Sequence, residues 1–198
     1  FYLVPCRSLT CYPLPKQFDD RTIRAALAPE KDIDGITDSS LAGVFTNSAI
    51  GYPPCTAQAC LEILKYYQVP LSGKRAVVVG RSLVVGKPAA MMLDRENATV
   101  TLCNSRTQNL PALCQEADVV VVAMGKQGAI GGEHLRAGQV VVDVGIHVNA
   151  EGKLCGDVRF DEAEPLVAAV TPVPGGVGTV TTSVLVGHVV EAAEKALG

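Results

Sequence analysis

The sequence predicts an α/β protein centred on a doubly wound parallel sheet, and two observations carry that prediction. The first is a series of short, β-branched apolar runs at 76–79, 99–103, 119–124 and 140–144, with helical stretches at 89–94 and 110–117 between the first three. Runs that are apolar on both faces and alternate with helices belong to a parallel sheet covered on both sides. The second is the stretch Lys74-Arg75-Ala76-Val77-Val78-Val79-Gly80-Arg81-Ser82-Leu83-Val84-Val85-Gly86-Lys87-Pro88, which reads as a strand, a tight loop and a helix start. In such sheets the ligand lies beyond the carboxyl ends of the strands. A fifth run at 168–171 leads into Pro172-Val173-Pro174-Gly175-Gly176-Val177-Gly178. The chain closes with a helix from about Thr181, in which Leu185, Val189, Ala192, Ala193 and Ala196 share one face.

The loop that starts at Gly80 is the first candidate for chemistry. Gly80 lets the chain turn where a Cβ would obstruct it, Gly86 lets the backbone approach a ligand or a neighbouring strand, and Pro88 suits a first helical turn. The unpaired N–H groups of that turn and its partial positive charge favour an anion, so a phosphate is the expected guest. A Walker loop is excluded, because five residues separate the glycines and Pro88 follows Lys87. The dinucleotide fingerprint G-x-G-x-x-G is also not met, since Ser82 takes the place of the middle glycine. Glycine spacing alone leaves a dinucleotide site and a purely structural turn both open. The second strand ends in Cys103-Asn104-Ser105-Arg106-Thr107, with no acid to accept a ribose 2′-hydroxyl. A hydroxyl and a guanidinium there suit a 2′-phosphate, and Arg81 offers a second cation; the other reading is two solvated turn residues.

Bulk properties set the frame. The 198 residues suffice for one domain plus part of another. A net charge of -3 and a pI near 5.6 argue against a nucleic-acid surface. Seven cysteines (Cys6, Cys11, Cys55, Cys60, Cys103, Cys114, Cys155) form no C-x-x-C pair, so thiols in a reducing, cytoplasmic setting are expected, with no metal site. No apolar run is of membrane-spanning length, no signal peptide is recognisable, and the chain begins at Phe1 without methionine. In the front part, a short strand at 1–4, a rigid Pro13-Leu14-Pro15 loop, a helix capped by Asp19-Asp20 and ended by Pro29, and a turn at 31–35 are expected. The glycines and prolines of 41–54 predict a loop, and Thr56 an N-cap for a helix that buries Leu61 and Leu64.

Taken together, Pro13-Leu14-Pro15-Lys16, Pro29-Glu30-Lys31-Asp32-Ile33-Asp34-Gly35, Pro54-Cys55-Thr56, the Gly80 to Pro88 loop, Asp143-Val144-Gly145-Ile146, Gly156-Asp157-Val158 and the Thr171 to Gly178 run resemble, in order, the bifunctional methylenetetrahydrofolate dehydrogenase/cyclohydrolase family. The resemblance implies oxidation of 5,10-methylenetetrahydrofolate with NADP, hydrolysis of the methenyl product to 10-formyltetrahydrofolate, and a homodimer that binds tetrahydrofolate derivatives between two domains, with neither nucleic acid nor membrane as partner. It places residues 1–60 as the remnant of an N-terminal folate-binding α/β domain, 61–172 as a Rossmann-like NADP domain, and 173–198 as a helix returning toward the first. It assigns Gly80, Arg81, Ser82, Gly86, Ser105, Arg106, Gly125, Gly145 and Ile146 to the cofactor, with Ser105 near the adenosine end and Ile146 on the nicotinamide side. Asp34, Pro174, Gly175 and Gly176 fall to the folate. A carboxylate can accept two parallel hydrogen bonds from the N3–H and 2-amino group of a pterin; the alternative for Asp34 is a ligand-free Asp-Gly turn.

The departures from the family are as specific as the matches. Its catalytic Tyr-x-x-x-Lys pair lies upstream of these motifs and has no counterpart here, Cys11 replaces a glutamine, and Thr179 and Val180 replace Pro and Met. The family's first domain thus lacks its front portion, and the catalytic groups are unassigned. His134, His147 and His188 lie in none of the motifs and read as exposed or core-edge histidines. An impaired enzyme is therefore expected, and a non-catalytic NADP-binding or dimerisation module derived from the same family is the alternative.

Overall fold

Why the centre of the chain becomes a parallel sheet is visible in which way its valines point. The computed structural model describes Gln17 and residues 19–197. The strand expected at 1–4, Cys11 and the Pro13-Leu14-Pro15 loop lie outside the described residues. Strands β1 (Arg75–Val79), β2 (Thr99–Cys103), β3 (Val119–Val122) and β4 (Val140–Asp143) run parallel, each in the register of its neighbour. Ala76 and Val78 of β1, Val119 and Val121 of β3, and Val142 of β4 enter one core. Their alternates Val77, Val79, Val120, Val122 and Val141 enter another. Period-two alternation with both faces apolar demands cover on both sides.

Helices supply that cover. On the first face lie α3 (Cys55–Tyr66), α4 (Gly86–Arg95) and the N-terminal half of α7 (Val177–Leu197), through residues such as Leu61, Leu64, Ala89, Leu93 and Val177. On the second lie α5 (Leu110–Glu116), through Cys114, and the single-turn α6 (Phe160–Ala163), through Ala163. A two-residue strand following α6, Ala169–Val170, pairs with β4 and completes the order β2-β1-β3-β4-β7 once the antiparallel hairpin β5 (His147–Val148) and β6 (Leu154–Cys155) is counted before it as β7. The chain leaves β1 for β2 on one side and returns to place β3 on the other. That reversal is the switch point where open α/β sheets hold ligands.

Three sequence expectations are corrected. Residues 41–54 are not all loop: α2 (Asp38–Thr46) forms because Thr37 accepts from the Ser40 N–H at 3.1 Å and caps it. Gly43, which read as a breaker, is needed inside that helix, since the Ile50 carbonyl stands where its Cβ would be. The N-cap of α3 is Pro54 rather than Thr56. Helix α7 starts at Val177, four residues earlier than expected, and packs through Val177, Val180, Val184 and His188. Val189, expected on its buried face, is 44% exposed. Helix α1 (Asp20–Ala26), by contrast, is capped by Asp19 as expected. Among the described residues no helix is long and apolar enough to cross a membrane.

Candidate functional site

Because β1, β2, β3, β4 and β7 are parallel, every loop that follows them opens on one edge of the sheet. Gly80, Arg81, Ser82 and Gly86 follow β1, and Ser105 and Arg106 follow β2. Gly125 follows β3, Gly145 and Ile146 follow β4, and Pro174, Gly175 and Gly176 follow β7. The fold thus brings twelve of the thirteen residues singled out in the sequence to a single edge, and Asp34 is the exception.

At the first loop the glycines act on the backbone. Gly80 has φ 126°, and the Ala123 carbonyl occupies the space a Cβ would take; Gly86 packs against the Gly80 carbonyl in the same way. The Ser82 hydroxyl accepts from the N–H of Val85 at 3.1 Å and of Gly86 at 3.4 Å, and the Ser82 carbonyl accepts from Lys87 at 3.0 Å. With Pro88 carrying no N–H, the first turn of α4 is already satisfied. An anion at this edge therefore meets the Arg81 side chain and the loop, rather than the helix terminus expected from the sequence. Arg81 is exposed and forms no ion pair among the described residues. The turn after β2 is ordered by Asn104 N–H to Thr107 Oγ1 at 2.8 Å and Arg106 N–H to Asn104 Oδ1 at 3.0 Å, which leaves Ser105 and Arg106 exposed beside the first loop. Gly80 N–H to Cys103 O at 3.0 Å ties the two loops together. Two adjoining loops that offer the exposed Ser105 hydroxyl and two guanidinium groups and hold no carboxylate fit a 2′-phosphorylated dinucleotide.

Ile146 is 63% exposed, and Gly178 at the start of α7 lies 3.7 Å from its Cδ1, measured from where a Cβ would stand. The nicotinamide-side position and the Pro/Gly run are therefore neighbours. Pro174 and Gly175 are exposed and Gly175 has φ 100°. A groove of about 450 Å³ runs from Gly175 and Gly176 along β7 to Tyr67 and Phe160, apart from the cofactor loops.

Asp34 lies instead in a tertiary cluster that no sequence spacing revealed. His188 of α7 has Nδ1 2.7 Å from the Ile33 carbonyl and Nε2 2.9 Å from Gln58 Oε1, and the Cys55 thiol lies 3.3 Å from the same carbonyl. Burial pushes the Asp34 carboxyl up; a hydrogen bond from Cys55 opposes this, nearby Asp32 adds to it, and His188 opposes it. Burial likewise pushes the Cys55 thiol far above its ordinary value, reinforced by Asp34, so this thiol is no nucleophile. His134 closes a 3-10 turn and His147 bonds Asp157, so all three histidines are engaged in the fold.

Sequence reading also passed over two carboxylates. Asp143, ending β4, accepts from the N–H groups of Gly145, Asp157 and Val158 at 2.9–3.1 Å. Asp157 in turn accepts from residues 124–126. The only signal in the sequence was an acid closing an otherwise apolar run, and the Gly-Asp pair at 156–157, where a Cβ on Gly156 would strike Asp143.

A parallel sheet with a glycine loop after its first strand, a reversal of strand order beside it and converging loops at one edge defines a doubly wound dinucleotide-binding domain. The chain belongs to the tetrahydrofolate dehydrogenase/cyclohydrolase family, whose NAD(P)-binding domain matches residues 54–197. It is 56% identical over 184 residues to the bifunctional protein FolD of Carboxydothermus hydrogenoformans, covering 92% of this chain and 64% of that protein. The chain thus spans less than two thirds of that relative's length. The crystal structure of FolD from Campylobacter jejuni superposes with a TM-score of 0.90 at 35% identity, over 93% of this chain and 65% of that one. The methylenetetrahydrofolate dehydrogenase-cyclohydrolase of Trypanosoma brucei, solved with NADP and an inhibitor, gives 0.87 at 36% identity, over 93% and 65%.

Proposed function

We propose that this chain binds NADP across the loops after β1, β2, β3 and β4, and that its chemistry is that of its relatives' names. That chemistry is oxidation of 5,10-methylenetetrahydrofolate to the methenyl form and hydrolysis to 10-formyltetrahydrofolate. The observation that carries the reading is that Arg81, Ser105 and Arg106 stand exposed on the adjoining loops after β1 and β2, which hold no carboxylate. When bound, NADP supplies the hydride acceptor. Arg81 and Ser105 hold the 2′-phosphate, Gly125, Gly145 and Ile146 receive the nicotinamide side, and Asp34 accepts the pterin's paired donors. Gly175 and Gly176 allow close approach of the folate. Residues 1–60 belong to a second, folate-binding unit, and a homodimer in the cytoplasm is the expected form; the five described cysteines are all free thiols, in keeping with that compartment.

A second reading, an NADP-binding module without catalysis, draws support from the engagement of all three histidines in structural bonds. Both readings share the cofactor site, so the decisive first experiment is a titration. Purified protein is expected to bind NADP more tightly than NAD. Arg81→Ala and Ser105→Ala should each weaken NADP, the former by about 1.5–3 kcal/mol for loss of a charged contact, and leave NAD nearly unchanged. Unchanged NADP affinity in both variants would refute the 2′-phosphate pocket.

A further inference from the structure

Asp157 is completely buried, yet its carboxylate is surrounded by donors. Oδ2 accepts from the N–H of Met124 at 2.6 Å and of Gly125 at 2.9 Å; Oδ1 accepts from the N–H of Lys126 at 2.8 Å and lies 2.7 Å from His147 Nε2. Three successive amides of the loop after β3 thus converge on one side chain, with the first residue of β5 on its remaining lone pair. A carboxylate has about four acceptor positions, and all four are used.

The same residue is fixed from behind. Its own N–H donates to Asp143 Oδ1 at 3.1 Å, its carbonyl accepts from Ile130 at 3.0 Å, and Asp143 also holds Gly145 at 2.9 Å. Gly145 has no room for a side chain, because the Asp157 backbone and carboxylate fill the place of its Cβ. The loop after β3, the loop after β4 and the strand end at 155–158 are therefore clamped around two buried carboxylates. These loops lie on the far side of β1 from β2, which is the side opposite Ser105 and Arg106.

We propose that Asp157, with His147 as its fourth donor, is the positioning residue for the nicotinamide side of the cofactor site. It draws the backbone of residues 124–126 down onto the sheet edge and locks it to Gly145 and Ile146, without touching the cofactor. The inference rests on the cofactor reading above. Asp157 lies outside the sheet, whose register is made by the backbone of β1, β3 and β4. Asparagine in place of Asp157 keeps the shape but offers one acceptor oxygen, and its amide group faces donors, so part of the loop is released.

The test separates the two ends of the dinucleotide. NADP and 2′,5′-ADP, which has the adenosine end alone, are titrated into the full chain, into Asp157→Asn and into His147→Ala, with thermal melting of each. The expected result is that Asp157→Asn weakens NADP roughly tenfold or more, the scale of one lost charged hydrogen bond, while 2′,5′-ADP binds within about twofold of the parent. His147→Ala should give the same split with a smaller loss, about threefold or more, and faster amide exchange at residues 124–126. Equal loss of both ligands would make Asp157 a general fold residue and overturn the proposal, as would NADP affinity unchanged in both variants. If Asp157→Asn does not melt cooperatively, His147→Ala decides alone: the split supports the proposal and no change refutes it. Failure of the parent chain to bind either ligand would instead overturn the cofactor reading, and this inference with it.

Discussion

Asp34 is held between influences that oppose one another, and its behaviour with pH follows from their sum. Burial raises its carboxyl above the ordinary aspartate value of 3.8, and the Cys55 and His188 contacts only partly restore it. A carboxylate accepts both pterin donors, whereas its protonated form offers one acceptor fewer and presents a proton to a donor. With the value raised, protonation sets in at a pH where an exposed aspartate is still charged. Affinity for a 2-amino-4-oxopteridine is therefore expected to fall on acidification, through a midpoint above 3.8. Fluorescence titration across the acid range reads this directly, and Asp34→Asn should remove the limb; an affinity flat down to the ordinary carboxylate range would show that Asp34 does not meet the ligand. Asp34 was legible from the residues only as an Asp-Gly turn, and its second role came from the resemblance. The reason is physical: what distinguishes it is His188, Cys55 and Gln58 meeting around the Ile33 carbonyl, and separations of more than a hundred residues leave no local pattern. Asp143 and Asp157 stood in the motifs of the resemblance without a role of their own, because a single acid at a strand end carries no periodicity.

Elements were read well where one face dictates them and poorly where tertiary contacts do. Strands β1, β3 and β4 were plain, because unbroken valine on both faces has few other solutions. Helix α2 was missed because its defining features are a cap outside the apolar stretch and a glycine whose purpose is close packing on Ile50. On α7 the sequence offers apolar residues nearly all round, so the periodicity could not choose between the face of Val189 and that of Val184. The α2 cap supplies a prediction at this scale. Thr37 bonds Ser40, and Asp32 accepts from the N–H groups of Ile36 and Thr37 at 2.9 and 2.7 Å and from the Ser40 hydroxyl at 2.6 Å. Thr37→Ala is expected to cost about 0.5–2 kcal/mol of stability, a melting point lower by about 2–4 °C per kcal/mol in a chain of this size. NADP affinity should not change, since the bonds of Thr37 and Asp32 stay within residues 32–40 and reach none of the loops at the sheet edge. A melting point equal to the parent's would mean the Asp32 contacts hold the helix start without the cap.

For the whole molecule, the question is whether a complete cofactor edge is enough for turnover. The described fold carries the loops after β1, β2, β3 and β4 that are proposed to receive a dinucleotide, and binding should stabilise it: at a hundredfold excess over Kd the gain is about 2.7 kcal/mol, visible as a rise in melting temperature. Hydrolysis of the methenyl group asks for more, because protons must be managed on water and on a folate nitrogen. His134, His147 and His188 are each bonded within the fold, and burial pushes the Cys55 and Cys60 thiols well up, so none of these five groups is poised for that task. General acid–base assistance is commonly worth about 10²–10⁴-fold. These 198 residues are therefore expected to bind NADP while hydrolysing methenyltetrahydrofolate about 10²-fold or more below a full-length relative. Oxidation of methylenetetrahydrofolate by these residues is expected to depend on Asp34 and the Gly175 loop, the groups proposed to hold the folate. The measurement follows reduced cofactor on adding methylenetetrahydrofolate and NADP, then the decay of methenyltetrahydrofolate above its spontaneous rate. Depressed rates with intact NADP binding would place the deficit in the folate half of the site. Near-normal rates in both would show that a residue of this chain replaces the lysine, and His147, half-buried beside Ile146, is the first to substitute.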